Sequence, residues 1–167
     1  MADDRAAVSA ADGRGYELPM LLFAGFRAAI DQLHARLADE GHPDVRPAYG
    51  FAMQAIGVRG ATASEMGRRL GVSKQAAGKT VERLEELGYA ERAADPSDGR
   101  RKIVVLTARG VEVLVRSGQF FDELYAQWAR VLGPERLAGL ESDLRALVPG
   151  AVPGGGFRVD VAGWFGG

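Results

Sequence analysis

The 167-residue chain contains no cysteine and no asparagine, and lysine supplies only three of its 21 cationic residues. Without cysteine, disulfides and thiolate metal sites are excluded. The missing asparagine and the arginine excess read as the bias of a GC-rich coding sequence rather than as function. No window approaches about eighteen consecutive apolar residues, and no basic-then-apolar signal pattern opens the chain, so neither a membrane partner nor a leader is expected and the expected location is cytoplasmic. Neither sign of charge dominates, with 21 Lys and Arg against 22 Asp and Glu. Metal-ligand spacing is missing too: His34 and His42 have no partners and read as structural or exposed. With neither a cysteine nucleophile nor a metal site, an enzyme is not expected, and no cofactor is called for. The length suits one domain with a real core.

The informative stretch runs from Thr62 to Thr107. Thr62 with Glu65 three residues later forms a capping box, the reciprocal hydrogen-bonding pattern that starts a helix. Met66 and Leu70 share one face of that helix, and Gly71 ends it by tolerating a positive φ. Val72 fills the gap before Ser73, which caps a second helix. Ala77, Val81, Leu84 and Leu87 follow at helical spacing and must face the core. The opposite side then carries Lys74, Gln75, Gly78 and Lys79, with Ser73, Ala76 and Thr80 at its margins. It is short, polar and cationic, as a helix entering a major groove should be. Gln75 suits an adenine edge, Lys74 and Lys79 suit guanine or phosphate, and Ala76 suits a thymine methyl. Thr62 and Ser64, at the start of the first helix, join the expected contact set.

Gly88 stops the second helix, and an extended run follows from Tyr89 to near Ala93. A second, β-branched run spans Lys102 to Leu106. Between them, Asp95-Pro96-Ser97-Asp98-Gly99-Arg100-Arg101 carries turn signals and is expected as a loop with a cationic tip. Arg100, Arg101 and Lys102 are the expected wing contacts, to backbone or to a narrow minor groove. Thr107 is placed to cap the next long helix.

Each piece alone has an ordinary explanation. A glycine between amphipathic helices is common, and an arginine pair in a loop is usually a solvated turn. Their order, from capping box through glycine turn and cationic helix to charged wing, favours a DNA-reading unit.

Leu70-Gly-Val-Ser-Lys-Gln-Ala-Ala77, Leu84-Glu-Glu-Leu-Gly-Tyr89 and Asp95-Pro-Ser-Asp-Gly-Arg-Arg-Lys-Ile-Val-Val-Leu-Thr107 resemble the MarR family of bacterial winged-helix regulators. The family's wing pattern, Asp-x-Arg before a strand and Leu-Thr, is met by Asp98, Arg100, Leu106 and Thr107, and the resemblance extends over roughly Leu18 to Leu147. Gly99 stands where many members carry another wing arginine, a place that Arg101 is positioned to fill. The resemblance implies a homodimer on a pseudo-palindromic operator in double-stranded DNA, usually a repressor, often released by a small aromatic or phenolic effector. The cysteine-based peroxide switch of some members is excluded here. By resemblance, the effector would lie where dimer helices meet the reading head, with Phe23, Phe26, His34, Arg46, Tyr49, Phe51 and Met53 as candidate lining. For any one of these the plainer reading is core.

From Arg59 to Lys102 there are ten Lys or Arg against seven Asp or Glu, a net of +3 that leaves −4 for the rest of a chain at −1. That segregation runs in the direction DNA binding needs. The remainder reads as a frame. Leu22, Phe26, Ala29 or Ile30, Leu33 and Leu37 mark a helix ending near Gly41, and Pro47 opens another through Phe51, Met53 and Ile56 to Gly57. Val111, Leu114 or Val115, Phe121, Leu124, Trp128 and Val131 or Leu132 mark a long helix, and Pro134 starts a last one through Leu137, Leu140, Leu144 and Leu147. Such terminal helices are expected to pack on each other and on a second copy, with the monomer core as the alternative.

The expected fold is mainly α with a small β-wing, a winged helix-turn-helix flanked by terminal dimerisation helices. Its divisions are a mobile segment at 1–15, scaffold helices at 16–58, the reading unit at 59–107, C-terminal dimerisation helices at 108–148 and a Gly-rich tail at 149–167. In that tail Phe157, Val159 and Val161 alternate like a short strand, and Trp164 and Phe165 suit docking on an apolar surface, against the flexibility that so much glycine confers. The rival function is a winged-helix protein-interaction module without operator binding.

Overall fold

The computed structural model describes residues 14–147. The tail at 149–167, with its expected strand and aromatic docking, lies outside the described residues, as does most of the leading segment. Arg14 and Gly15, expected within that mobile segment, instead begin the first helix.

Among the described residues, six helices and one hairpin follow in the order α1 (Arg14–Asp39), α2 (Pro47–Ile56), α3 (Ala63–Leu70), α4 (Lys74–Glu86), β1 (Ala90–Asp95), β2 (Asp98–Leu106), α5 (Ala108–Leu132) and α6 (Pro134–Leu147). One continuous apolar core joins Leu33 and Leu37 of α1, Met53 and Ile56 of α2, Met66 and Leu70 of α3, Ala77, Val81 and Leu84 of α4, and Val113 and Leu124 of α5. These are the periodic positions that the sequence marks, apart from Val113. Proline at the first position of α2 and the left-handed Gly57 after it bound that helix where the sequence places them.

The long helix α5 turns differently from its expected stripe. Gly110, Val113, Phe120 and Leu124 face inward, whereas Val111, Val115, Phe121, Trp128 and Val131 are exposed. Two apolar stripes run along α5, and the stripe read from sequence is mostly the one that this chain leaves uncovered. The N-terminal half of α1 shows the same excess, with Leu18, Met20, Leu21 and Leu22 exposed.

The hairpin is longer than expected and its turn is tighter. Asp95 pairs with Asp98, leaving Pro96 and Ser97 as the turn, and β2 includes Arg100 and Arg101. The turn is closed from within: Asp95 Oδ1 accepts from the Ser97 amide at 2.8 Å and from its hydroxyl at 2.7 Å, and Asp98 Oδ1 accepts from the Arg100 amide at 3.1 Å. Those bonds let strand pairing extend into a polar segment that lacks β-branched residues. The cationic tip is thus a cationic strand edge.

Beyond the shared core, three side chains tie the head to the start of α5 and to the turn after α1. Thr107 caps α5 by accepting from the Gly110 amide at 3.2 Å, while its hydroxyl donates to the Gly88 carbonyl at 2.6 Å. Arg109 donates to the Gly41 carbonyl at 2.9 Å and lies 4.9 Å from the centroid of the fully buried Tyr89 ring. His42, only 2% exposed, sets Nδ1 3.4 Å from the Tyr89 hydroxyl. Its Nε2 has no hydrogen-bond partner among the described residues and stands 3.7 Å from Glu112. Burial, reinforced by Arg109 and Arg116 against the opposing pull of Glu112 and Glu40, holds the imidazole below its ordinary pKa.

Two outcomes are expected. A Cβ at Gly110 would stand 2.1 Å from the Tyr89 carbonyl oxygen, so Gly110→Ala must separate α5 from the head; urea unfolding should show a loss of about 1–3 kcal/mol. An unchanged midpoint would show that this junction yields freely. Because folded His42 binds its proton less readily than the unfolded chain, its contribution is fully present above the ordinary value of 6.5 and is lost as pH falls from there toward its lower folded value. The unfolding midpoint of the wild type should therefore drop through this window, and His42→Gln should flatten the drop. His34, held low mainly by burial against the opposing charge of Asp31, contributes in the same direction and would leave a residual slope.

Candidate nucleic-acid interface

The site begins with the two helix starts. Thr62 Oγ1 accepts from the Glu65 amide at 3.2 Å, and Glu65 Oε2 takes the Thr62 amide at 2.7 Å, which completes the capping box. Gly71 ends α3 at φ 71°, in the left-handed region, and Ser73 caps α4 by accepting from the Ala76 amide at 3.1 Å. Ala77, Val81 and Leu84 are fully buried, and this fixes how α4 is rolled on the body. Lys74, Gln75, Ala76 and Lys79 consequently stand in solvent, with Gly78 and Thr80 half-buried beside them.

The wing stands next to this face. Thr62, Ser64, Lys74, Arg92, Arg101 and Lys102 border a groove of about 420 Å³ between the starts of α3 and α4 and the hairpin. The groove thus collects residues from four separated stretches of sequence. Arg92 is the member that sequence reasoning missed. Cross-strand pairing with Val104, two pairs away from the Ala94 and Lys102 pair, brings it here, and only the strand register carries that signal.

The cations divide into two sets. Arg83 pairs with Glu86 at 2.7 Å, Arg92 with Glu85 at 3.1 Å and Arg101 with Glu65 at 2.8 Å. Lys74, Lys79, Arg100 and Lys102 have no acidic partner among the described residues. Free positive charge therefore sits on the outer face of α4 and on the outer part of β2, and also on Arg59 and on Arg68 and Arg69 of α3, which likewise pair with no acid among the described residues. Besides Arg101, two expected hydroxyl contacts are internally occupied: the Thr62 hydroxyl serves the capping box, and Thr80 Oγ1 donates to the Ala76 carbonyl at 3.2 Å. Ser73 keeps its hydroxyl proton available, and Ser64 is exposed.

The expected effector lining separates. Phe26, His34 and Phe51 share a cavity of about 100 Å³ with Leu33, Val113 and Phe121, between α1, α2 and α5. Met53 is fully buried in the core and offers no lining surface, and Phe23, Arg46 and Tyr49 do not border this cavity. Tyr49 instead meets Arg83 of α4. One face of α2 packs the head, and the neighbouring face lines the cavity. Among the described residues no cluster of His, Cys, Asp or Glu could hold a metal ion, and no helix is long and apolar enough to cross a membrane.

Residues 44–101 match a family model described as the MarR family. A stretch of 48 residues is 46% identical to the uncharacterized HTH-type transcriptional regulator YcgE of Bacillus subtilis, covering 28% of this chain and 31% of that protein. The match thus spans about a third of the length of this curated relative. Streptococcus pneumoniae FabT in complex with DNA superposes with a TM-score of 0.68 at 20% identity, over 78% of this chain and 92% of that one. The reduced form of MarR from E. coli superposes at 0.61 with 24% identity, over 79% and 96%. S. aureus MepR bound to ethidium bromide superposes at 0.58 with 19% identity, over 77% and 92%. These likenesses show a shared fold.

Proposed function

We propose that this chain, whose residues 44–101 match a MarR family model, is a homodimeric transcriptional regulator that binds a pseudo-palindromic DNA operator, represses from it, and leaves it when a small molecule binds. The observation that carries the reading is the quartet Lys74, Lys79, Arg100 and Lys102, unpaired by any acid among the described residues and set along one helix and the strand beside it. A protein that reads DNA leaves cations unpaired where phosphates will pair them. Gln75 and Ala76 stand between these charges as base-edge readers, with Ser73, Thr80, Thr62 and Ser64 around them. Arg100, near the turn, is the wing residue suited to a minor groove. A cytoplasmic location accords with this role, and the family is one of non-enzymatic proteins.

The dimer reading is supported by the uncovered apolar surface. Leu18, Leu21 and Leu22 on α1, Val115, Tyr125 and Trp128 on α5, and Leu140 and Leu147 on α6 are all exposed, more than a solitary domain ordinarily leaves to water. A two-fold axis between terminal helices sets two recognition helices about 34 Å apart, matching half-sites about ten base pairs apart. The effector reading is supported by the cavity at Phe26, His34, Phe51 and Phe121, at about 100 Å³ a space on the scale of a single aromatic ring.

Sedimentation should give a dimer. Fluorescence anisotropy against duplexes tiled from the protein's own upstream region should find a site whose affinity falls steeply with salt. Eight contributing cations per dimer correspond to a log–log slope of about −7. Gln75→Ala should relax base preference at one position in each half-site by about 1–3 kcal/mol. Arg100→Ala should weaken binding, selectively at AT-rich flanks if the residue enters the minor groove. Weak binding that barely responds to salt, with neither variant altering it, would replace this reading with a winged helix that binds protein.

A further inference from the structure

The two wing arginines have different surroundings. Arg100 has no acidic partner among the described residues, whereas Arg101 bridges two carboxylates. Arg101 Nη2 donates to Glu65 Oε1 at 2.8 Å, and its Nε stands 3.9 Å from Asp95 Oδ2. Each of those acids uses its other oxygen for local structure. Glu65 Oε2 accepts from the Thr62 amide at 2.7 Å and its hydroxyl at 2.8 Å, and Asp95 Oδ1 accepts from the Ser97 amide and hydroxyl. Both carboxylates are therefore fixed by backbone hydrogen bonds, without the side-chain freedom that makes ordinary surface ion pairs weak.

The remaining attachments of the hairpin lie at its base. Ala61 and Val104 exchange backbone hydrogen bonds at 3.0 and 2.8 Å. The Arg92 and Glu85 pair stands at the same level, because Arg92 is the cross-strand partner of Val104. A two-stranded ribbon held at one level has little stability of its own. Contact further out is supplied by Arg101, three residues beyond Val104 toward the turn, and its anchor Glu65 belongs to the first turn of α3, the helix that leads through Gly71 into α4.

We propose that Arg101 is a positioning residue that sets the wing's angle to the recognition helix by bridging Glu65 and Asp95, and thereby aims Arg100 without itself touching DNA. The inference rests on the DNA-reading function proposed above. Hydrogen bonds from Thr62, then from Arg101, hold the Glu65 carboxyl down to about 2, and the Ser97 hydroxyl and amide hold Asp95 below its ordinary value. The bridge therefore persists across the neutral range. Its geometry also removes Arg101 from the free cations of the reading face.

Two variants test this. Glu65→Gln removes the anion and keeps a side chain able to complete the capping box, and Arg101→Ala removes the bridge from the other side. In the DNA-free protein, nitrogen-15 relaxation should show lower order parameters at Ser97 to Arg100 in both variants, with α3 and α4 unchanged. Against the operator, each variant should lose affinity about tenfold, the double variant should lose no more than either single one, and the salt slope should match the wild type. A phosphate contact would behave otherwise: Arg101→Ala would lower the slope by about 0.9 per half-site, and Glu65→Gln would leave affinity equal or higher. That outcome, or a wing equally ordered in both variants, overturns the proposal. A wild type that binds no duplex would overturn the DNA reading instead, and with it the aiming of Arg100, while the relaxation data would still decide whether Arg101 supports the wing.

Discussion

The arrangement depends first on the burial of one stripe, Ala77, Val81 and Leu84, on the inner side of α4. Three positions with no exposure leave the helix a single rotational setting against the core residues of α2 and α3. Turning it by one residue, about 100°, would carry Glu82 and Glu85, or in the other direction Arg83, toward the core and bring out the apolar stripe, an exchange that charge desolvation forbids. The outer face is thus whatever the sequence places opposite those three residues. Gln75 and Lys79, at one helical turn of separation, stand together because their neighbours are held inside.

Charge is organised on the same principle of commitment. The acids of the reading unit occupy arginines that hold structure: Glu65 holds Arg101, Glu85 holds Arg92 and Glu86 holds Arg83. Among the cations left over, Lys74, Lys79, Arg100 and Lys102 lie along α4 and the strand beside it. A chain at −1 can in this way present a local positive field, because the field seen by a ligand depends on which charges remain unpaired and where they lie. Surface pairs of this kind contribute little to stability, and their effect here is mostly geometric.

Much of this was legible in the sequence because it is local. The capping box, the glycine turn, the Ser73 cap and the Thr107 cap are decided within four residues, and the structure has each where the spacing puts it. The wing was misjudged in length because Asp98 to Arg101 lacks strand-forming side chains; its pairing is imposed by the Asx bonds at Asp95 and Asp98 and by the strand opposite. The roll of α5 was misjudged for another reason. Periodicity detects an apolar stripe without saying what covers it, and α5 has two, one packed on α1 and α2 and one exposed. Met53 illustrates the same limit, since an apolar position in α2 can line a cavity or pack the head, and only the tertiary arrangement chooses the latter. The Arg101 bridge joins residues 36 positions apart and leaves no periodic trace.

The junction between frame and head follows from economy of contacts. Thr107 caps α5 and holds the carbonyl of Gly88 with the same hydroxyl, so the end of α4 and the start of α5 share one side chain. Arg109, in the first turn of α5, grips Tyr89 and the Gly41 carbonyl after α1. At Gly110 the helix backbone lies against the Tyr89 carbonyl with no space for a methyl group. Displacing α5 along its axis would therefore move the base of the wing and the last turn of α4 with it. In the proposed dimer, whose subunits would meet along the exposed stripe of α5, a change of interhelical angle reaches the reading surface through these contacts. The cavity at Phe26, His34, Phe51 and Phe121 lies against the same helix, so a molecule that wedges α5 from α1 would act on the spacing of two recognition helices without approaching either.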